Sequence, residues 1–558
     1  MRKQILCITL PICAAIIVAG AWLSEAGPPA LSPPSGAIGV SGRFGTRTAI
    51  SSLPFTINEC GSYFLTGCLT GTSGQTGITI EASDVTLDLN GFALIGAAGS
   101  IDGVKVMGFQ ENIEIKNGSL RGWGQHGVDA DFATNSVLAE LRASDCVSVG
   151  FRIGNRSRVS RCTAQNCVIA FLLGSNCIVN DCGAFGSAGQ GILTGVGCTV
   201  RDCTAEANGL SGIEVNVGST VQNCTARQNA QSGIKTGLGA TVLGCTASQN
   251  DNDGFQLGSK SRMVDCNAYL NGDDGIALGS NCSVRQCTAT TNGNDGIFAA
   301  SECTVAYNDC TDNGTGGVGA GVRTSGFGIR VESNNINSNQ TGLQGSTANC
   351  YFADNTVQAN TDNYDFAFGN QLNLLICEIP ESIDWPASIK LAGTLVGEAA
   401  ENGLAVNSGD VTIDMAGHAL IGVPGSLNGI VSGDDLAVYN GVLRGWGSDG
   451  ITAFGESILV HDVRTAENGD DGMSYGVHSI IVNCIARNNL GDGLTGFGNS
   501  VIAQCTNTGN TADEFGGNRS LVTQCYTETI NLIDGLVHAT SYSSLPNITT
   551  TTVDSLDR

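Results

Sequence analysis

Charge is scarce and one-sided in this chain of 558 residues. Only 14% of residues are charged, and 51 acidic residues outnumber 26 basic ones, for a net charge of −25. That balance argues against nucleic acid and anionic lipid as partners and in favour of cations. Aromatic residues are few at 6%, which leaves little material for the exposed rings that usually hold sugars. The five histidines form no cluster with metal-ligand spacing. Helical periodicity is missing, and beyond the amino terminus so is any apolar run that could span a bilayer. What the chain has in quantity is glycine, 78 residues, and cysteine, 23 residues, and both are placed periodically.

Cys182, Cys203, Cys224, Cys245, Cys266 and Cys287 fall 21 residues apart. Asn208, Asn229, Asn250, Asn271 and Asn292 follow the last five at a constant offset, and Gly191, Gly212, Gly233, Gly254, Gly275 and Gly296 follow all six. A fixed period near 20 marks a solenoid. Short alternating runs such as Ile213-Glu-Val215, broken by Gly, Asn and Asp, make the repeat three strands and three turns. The fold expected is all-β, a right-handed parallel β-helix of about 21 residues per coil. Coils stack about 4.8 Å apart, so residues at one repeat position form ladders. The Asn ladder is read as internal, with each side chain bonding the backbone and the next Asn. The glycines are read as supplying backbone angles denied to other residues.

A second repetition spans the chain. "DVTLDLNGFALIG" (Asp84 to Gly96) returns as "DVTIDMAGHALIG" (Asp410 to Gly422), and "NGSLRGWG" (Asn117 to Gly124) as "NGVLRGWG" (Asn440 to Gly447). Two tandem units are therefore expected, unit 1 over 45–372 with an N-terminal cap and unit 2 over 373–530 with its own cap-like lead-in. Before them, 1–26 reads as a signal peptide, with an uncleaved N-terminal membrane anchor as the alternative because the apolar run is nearly long enough to span, and 27–44 as a flexible leader; 531–558 reads as a loose tail. The expected location is secreted or cell envelope, with no membrane span after signal cleavage.

Twenty-one cysteines follow the signal, an odd number. Export favours disulfides, yet stacked side chains run parallel and hold their Cβ atoms further apart than the roughly 3.8 Å a bridge prefers. The ladder cysteines are therefore expected as buried thiols, and Cys60 with Cys68 as the disulfide candidate.

The turn after the Asn ladder reads "DND", "GDD" and "GND" in consecutive coils, which stacks Asp253, Asp274 and Asp295. Such a column suits a hard cation, so these three are the candidate metal ligands and calcium the implied cofactor. The competing reading is ordinary Asp-Gly turn chemistry. Trp123 with Arg121, and Trp446 with Arg444, occupy equivalent places in the two units. Each pair is a candidate ligand site for an acidic sugar, or else packing that covers the first coils.

The arrangement resembles bacterial exported right-handed parallel β-helix repeat proteins of the pectate-lyase-like superfamily. The lead-ins, "VTLDLNGF", "NGSLRGWG" and "NTVQANTDNYDFAFGN" (Asn355 to Asn370) carry that match. The resemblance implies architecture and export, not one reaction. "NGDDGIALGS" (Asn271 to Ser280) also looks like the aspartate-pair motif of polygalacturonase-type glycoside hydrolases, which would make Asp273 and Asp274 the catalytic acid and base. That family's other elements are absent. A lyase-like reading implies calcium and a basic residue, for which Arg262 and Arg285 lie on suitable coils; Arg285 falls at a different corner. No alginate-epimerase-like Asp-Pro-His exists.

Three functions stay open: a non-enzymatic surface or matrix solenoid, a polysaccharide lyase or glycoside hydrolase, and a carbohydrate-binding or adhesion module. The constant coil length from 182 to 303 leaves no insertion to wall a cleft and favours the first. Only 310–330 breaks the pattern, and its glycines suggest a projecting loop. An acidic polysaccharide or cell-envelope glycan is the expected partner class.

Overall fold

The computed structural model describes residues 47–512 and short segments between 515 and 550. The expected signal peptide and leader lie outside the described residues, as does most of the expected tail. All described secondary structure is β-strand or turn, and the chain forms a parallel solenoid of about 22 turns. One coil shows the plan. Thr199–Arg201 and Thr204–Glu206 are two short strands of one sheet, and Ile213–Val215 belongs to the sheet opposite. Each pairs in parallel with its equivalent 21 residues on, for example Val200 with Val221, Ala205 with Ala226 and Ile213 with Ile234.

Alternation fixes the facing of each residue. The central Val and Ala of the first two strands and the outer Ile and Val of the third point inward, and columns such as Val200, Val221 and Val242 are fully buried. Each buried aliphatic side chain contributes about 1.5–3 kcal/mol. Between the first two strands the chain bends at one left-handed residue, Asp202 (φ 53°), Asn223 (φ 51°) or Asp265 (φ 55°). Asp and Asn tolerate that region better than most residues, which explains their recurrence at the bend.

The Asn ladder is internal. Asn229, Asn250 and Asn271 are at most 2% exposed. Asn250 Nδ2 donates to Asn271 Oδ1 at 2.9 Å and to the Ala226 carbonyl at 3.2 Å, while the Asn229 backbone N–H donates to Asn250 Oδ1 at 3.1 Å. The ladder runs on through Asn313 to Asn339 and Asn360. The glycine column has a different cause from the one expected. Gly233 does not adopt positive φ; a Cβ there would lie 2.6 Å from Asn250 Nδ2 and 2.8 Å from the Gly254 carbonyl. The column is glycine because the Asn ladder and the next coil leave no room for a side chain.

The cysteine column does at another corner what Asn does here. The Cys224 N–H donates to Cys245 Sγ at 3.4 Å, the Cys245 N–H to Cys266 Sγ at 3.3 Å, and the Cys245 thiol to the Leu243 carbonyl at 3.3 Å. The column then changes residue: the Cys287 N–H donates to Asn308 Oδ1 at 3.0 Å and that of Asn308 to Asn334 Oδ1 at 2.9 Å. All twenty-one described cysteines are free thiols. Cys60 and Cys68 are among them, contrary to the expected bridge. The strand Gly61–Leu65 stands between them and extends about 3.3 Å per residue, which carries their Cα atoms well beyond the roughly 4.4–6.8 Å a disulfide spans.

The two faces of the solenoid treat the middle of the chain differently. The two-strand face is continuous, with Tyr351–Gln358 paired to Gln371–Ile376 and that strand to Ser388–Leu391. The opposite face is two sheets, one of fifteen strands ending at Asp362–Phe366 and one of nine beginning at Glu381–Ile383.

Candidate functional site

Asp253, Asp274 and Asp295 stack as the spacing implies, each just before the glycine column, and none is more than 7% exposed. Their first carboxylate oxygens are used by the fold: the Asp295 N–H donates to Asp274 Oδ1 at 3.0 Å and the Ala320 N–H to Asp295 Oδ1 at 2.8 Å. Burial, with neighbouring carboxylates adding to it, pushes the Asp253 carboxyl up to about 6 and that of Asp274 up to about 8. Burial also takes Asp295 up to about 6, against the opposing pull of Arg323. Arg323 Nε lies 2.5 Å from Asp295 Oδ2 in an ion pair.

The carboxylates that converge are Asp253, Asp274 and the exposed Asp273, each offering an oxygen within 4.8 Å of the others. Asp295 is turned toward Arg323 instead. Oxygen-only donors at that separation suit calcium in kind. As a hydrolytic pair, Asp273 and Asp274 are compromised because Asp274 is spent on a backbone bond. The segment expected to project does not. The Gly316 N–H donates to the Gly293 carbonyl at 2.8 Å and the Gly314 N–H to that of Asn294 at 2.7 Å, laying the insertion against the end of the acidic column.

Of the two readings of the tryptophans, packing over the first coils holds and the sugar platforms do not form. Trp123 is 0% and Trp446 1% exposed, and each indole N–H donates at 3.2 Å to a carbonyl of an earlier coil, Leu94 or Leu420. Glycines make the space: a Cβ at Gly71 or Gly397 would come within 2.6 Å of the ring. Arg121 and Arg444 are exposed at the ends of their strands but have no ring face to work with. Duplicated sequence here means duplicated packing.

Sequence reasoning missed a denser constellation at the start of unit 1. Asp102 and His126 occupy the same pre-glycine column as the acidic turns, on coils of 24 and 23 residues that a count of 21 passes over. Asp102 is fully buried. Its Oδ1 accepts the His126 backbone N–H at 3.1 Å and Nδ1 at 2.8 Å, and its Oδ2 accepts Lys105 Nζ at 3.2 Å. Burial raises the Asp102 carboxyl, but the His126 and Lys105 contacts outweigh it and leave it below the ordinary carboxylate value. Lys105 also bonds Asp129 at 3.0 Å, and Arg152 pairs with Asp131 at 2.8 Å. The far ring nitrogen, His126 Nε2, faces Ser148 Oγ at 3.5 Å on the next coil.

A second missed feature lies where the opposite face breaks. A cleft of about 680 Å³ holds Asp362, Glu378, Glu381, Glu398 and Glu401. Asn363 Nδ2 donates at 2.9 Å to both Glu378 and Glu381, and burial takes Glu381 up to about 7.

A model of the family described as right handed beta helix region matches residues 102–241 and 237–336. No curated protein matches the sequence. Among solved structures, the chain is similar to the periplasmic alginate epimerase AlgG (12% identity, TM-score 0.40, covering 51% of this chain and 78% of that one). It is also similar to pectate lyase Pel9A (15%, TM-score 0.28, 47% and 71%) and to the PL6 family alginate lyase AlyGC (11%, TM-score 0.30, 90% and 100%). Residues 102–336 match that model, and the parallel stacking of coils seen there continues on either side of them.

Proposed function

We propose that the coil stack is an exported surface or matrix scaffold that holds glycan and does not cleave it. At about 4.8 Å per coil, its 22 or so turns make a rod about 100 Å long. The observation that carries this reading is the state of the acidic column. Of the two carboxylates that would serve as acid and base, Asp274 is spent on a backbone bond and Asp273 is held only by the Asn294 side chain, and the insertion beside them packs down instead of walling a cleft. The partner class is an acidic polysaccharide or cell-envelope glycan. Because the protein is itself strongly acidic, a divalent cation would bridge the two, and Asp253, Asp273 and Asp274 are the residues to hold calcium.

The purified protein, incubated with acidic polysaccharides with and without calcium, should retain polymer and release no new chain ends. New ends that accumulate with time would replace this reading with a lyase or hydrolase.

A further inference from the structure

We propose that Asp102, His126 and Ser148, stacked on three consecutive coils, form a serine-nucleophile triad that hydrolyses short-chain acyl esters. This goes beyond the scaffold reading and does not depend on it, since removing an ester substituent leaves a polymer backbone whole.

The geometry sets each role. Asp102 Oδ1 can only accept, so the 2.8 Å contact places the proton of His126 on Nδ1. The backbone N–H of His126 is held by the same oxygen at 3.1 Å, and Lys105 fixes the other oxygen at 3.2 Å. In the neutral ring Nε2 is then the lone-pair nitrogen, and it faces Ser148 Oγ 3.5 Å away, a looser contact than the roughly 2.6–3.2 Å of a nucleophile and base, as is common before substrate tightens the site. Triads are recognised by such roles and not by sequence order. The same residues do not make a vacant metal site. Asp102, His126 and Asp129 converge, but the Lys105 ammonium already bridges the two carboxylates at 3.2 and 3.0 Å.

Ser148 stands in a turn just before the strand Val149–Ile153, and both it and His126 keep partial solvent exposure. Two exposed apolar residues flank it, Val147 (67%) and Val168 (47%), and the Val168 N–H donates to the Ser148 carbonyl at 2.7 Å. They offer a surface to an acyl group of a few carbons.

In the reaction, Ser148 Oγ bonds the acyl carbon as its proton passes to His126 Nε2. The ester C–O bond breaks as that proton goes to the departing alcohol. Water then gives a proton to Nε2, its oxygen bonds the acyl carbon, and Ser148 leaves with the proton, so ester and water become acid and alcohol.

The test uses the full chain with a fluorophosphonate probe and p-nitrophenyl acetate. Mass spectrometry should place the phosphonyl adduct on Ser148. Acetate release should fall about 10²–10⁴-fold in His126→Gln and vanish in Ser148→Ala, with both variants keeping the wild-type unfolding midpoint. Asp102, which touches no substrate, is a positioning residue. Asp102→Asn should lower turnover and move the pH profile, a change that a purely structural role would not produce. Absence of an adduct on Ser148 in folded wild type, equal hydrolysis by Ser148→Ala, or activity removed by a chelator would each overturn the proposal.

Discussion

The two units build the same acidic corner and finish it differently. In unit 2 the Asp471 N–H donates to Asp449 Oδ1 at 3.0 Å and the Asp492 N–H to Asp471 Oδ1 at 2.7 Å, the same backbone bond that Asp274 receives from Asp295. The second oxygen then meets a hydroxyl three residues on: Thr452 to Asp449 at 2.8 Å, Ser474 to Asp471 at 2.9 Å, Thr495 to Asp492 at 2.8 Å. In unit 1 that place holds Gln256, Ala277 and Phe298. Asp102 solves the problem with Lys105 at the same offset, and Asp295 borrows Arg323 from the following coil. Asp274 has no such donor, and its neighbours are carboxylates. One column thus contains a finished form and an unfinished one, and what separates them is a single residue per coil.

The largest effect should come from the corner the units share. Asn250→Ala and Asn489→Ala each strip the partner from a buried Asn side chain and a buried backbone N–H, and both should cost about 3 kcal/mol or more. Denaturant midpoints check this, and a large gap between the two would show that the units differ beyond their acidic corners. Next, Asp471→Asn should cost about 1.5–3 kcal/mol, because the Ser474 hydroxyl loses a charged acceptor, whereas Asp274→Asn should be neutral or stabilising at pH 8. If both cost the same, the hydroxyl is not what distinguishes the columns.

Titration sharpens the contrast. The folded Asp274 carboxyl holds its proton up to about pH 8, far above an unfolded carboxyl, so its stabilising contribution is complete at acid pH and is lost as pH rises through 8. In metal-free buffer, wild type should lose on the order of a few kcal/mol from this group between pH 5 and 9, and Asp274→Asn should lose measurably less. The smallest expected effect is calcium binding. Calcium should raise the melting temperature by a few degrees at pH 8, more than magnesium, and the shift should largely disappear in Asp274→Asn. Equal shifts in both proteins would mean diffuse screening.

The coil, its period and its Asn and Cys columns were legible in the sequence because a ladder repeats its letters at a fixed interval. Three features were not. A glycine letter does not say whether it serves angle or space, and Gly233 serves space. Nearness in sequence is not nearness in the fold when an extended strand intervenes, as between Cys60 and Cys68. Asp102, His126 and Ser148 lie on coils of 24, 23 and 20 residues, so a regular count of 21 never aligned them. For Trp123 and Trp446 the sequence left a sugar site and packing both open, and the structure shows packing, with glycines of other coils making room for each ring.

The column that passes from Cys287 to Asn308 bears on how such a chain changes over generations. That corner requires an acceptor of short reach and is indifferent to whether sulfur or an amide oxygen provides it. A third corner shows the same latitude, running Ser136, Ser157, Cys177, Cys198, Ser219. Substitution among Ser, Cys and Asn at these positions can therefore drift coil by coil without unfolding the rod, and a copied coil inserts ready to stack. The acceptor role at these corners is a structural use for many of this protein's cysteines that calls on no thiol reactivity.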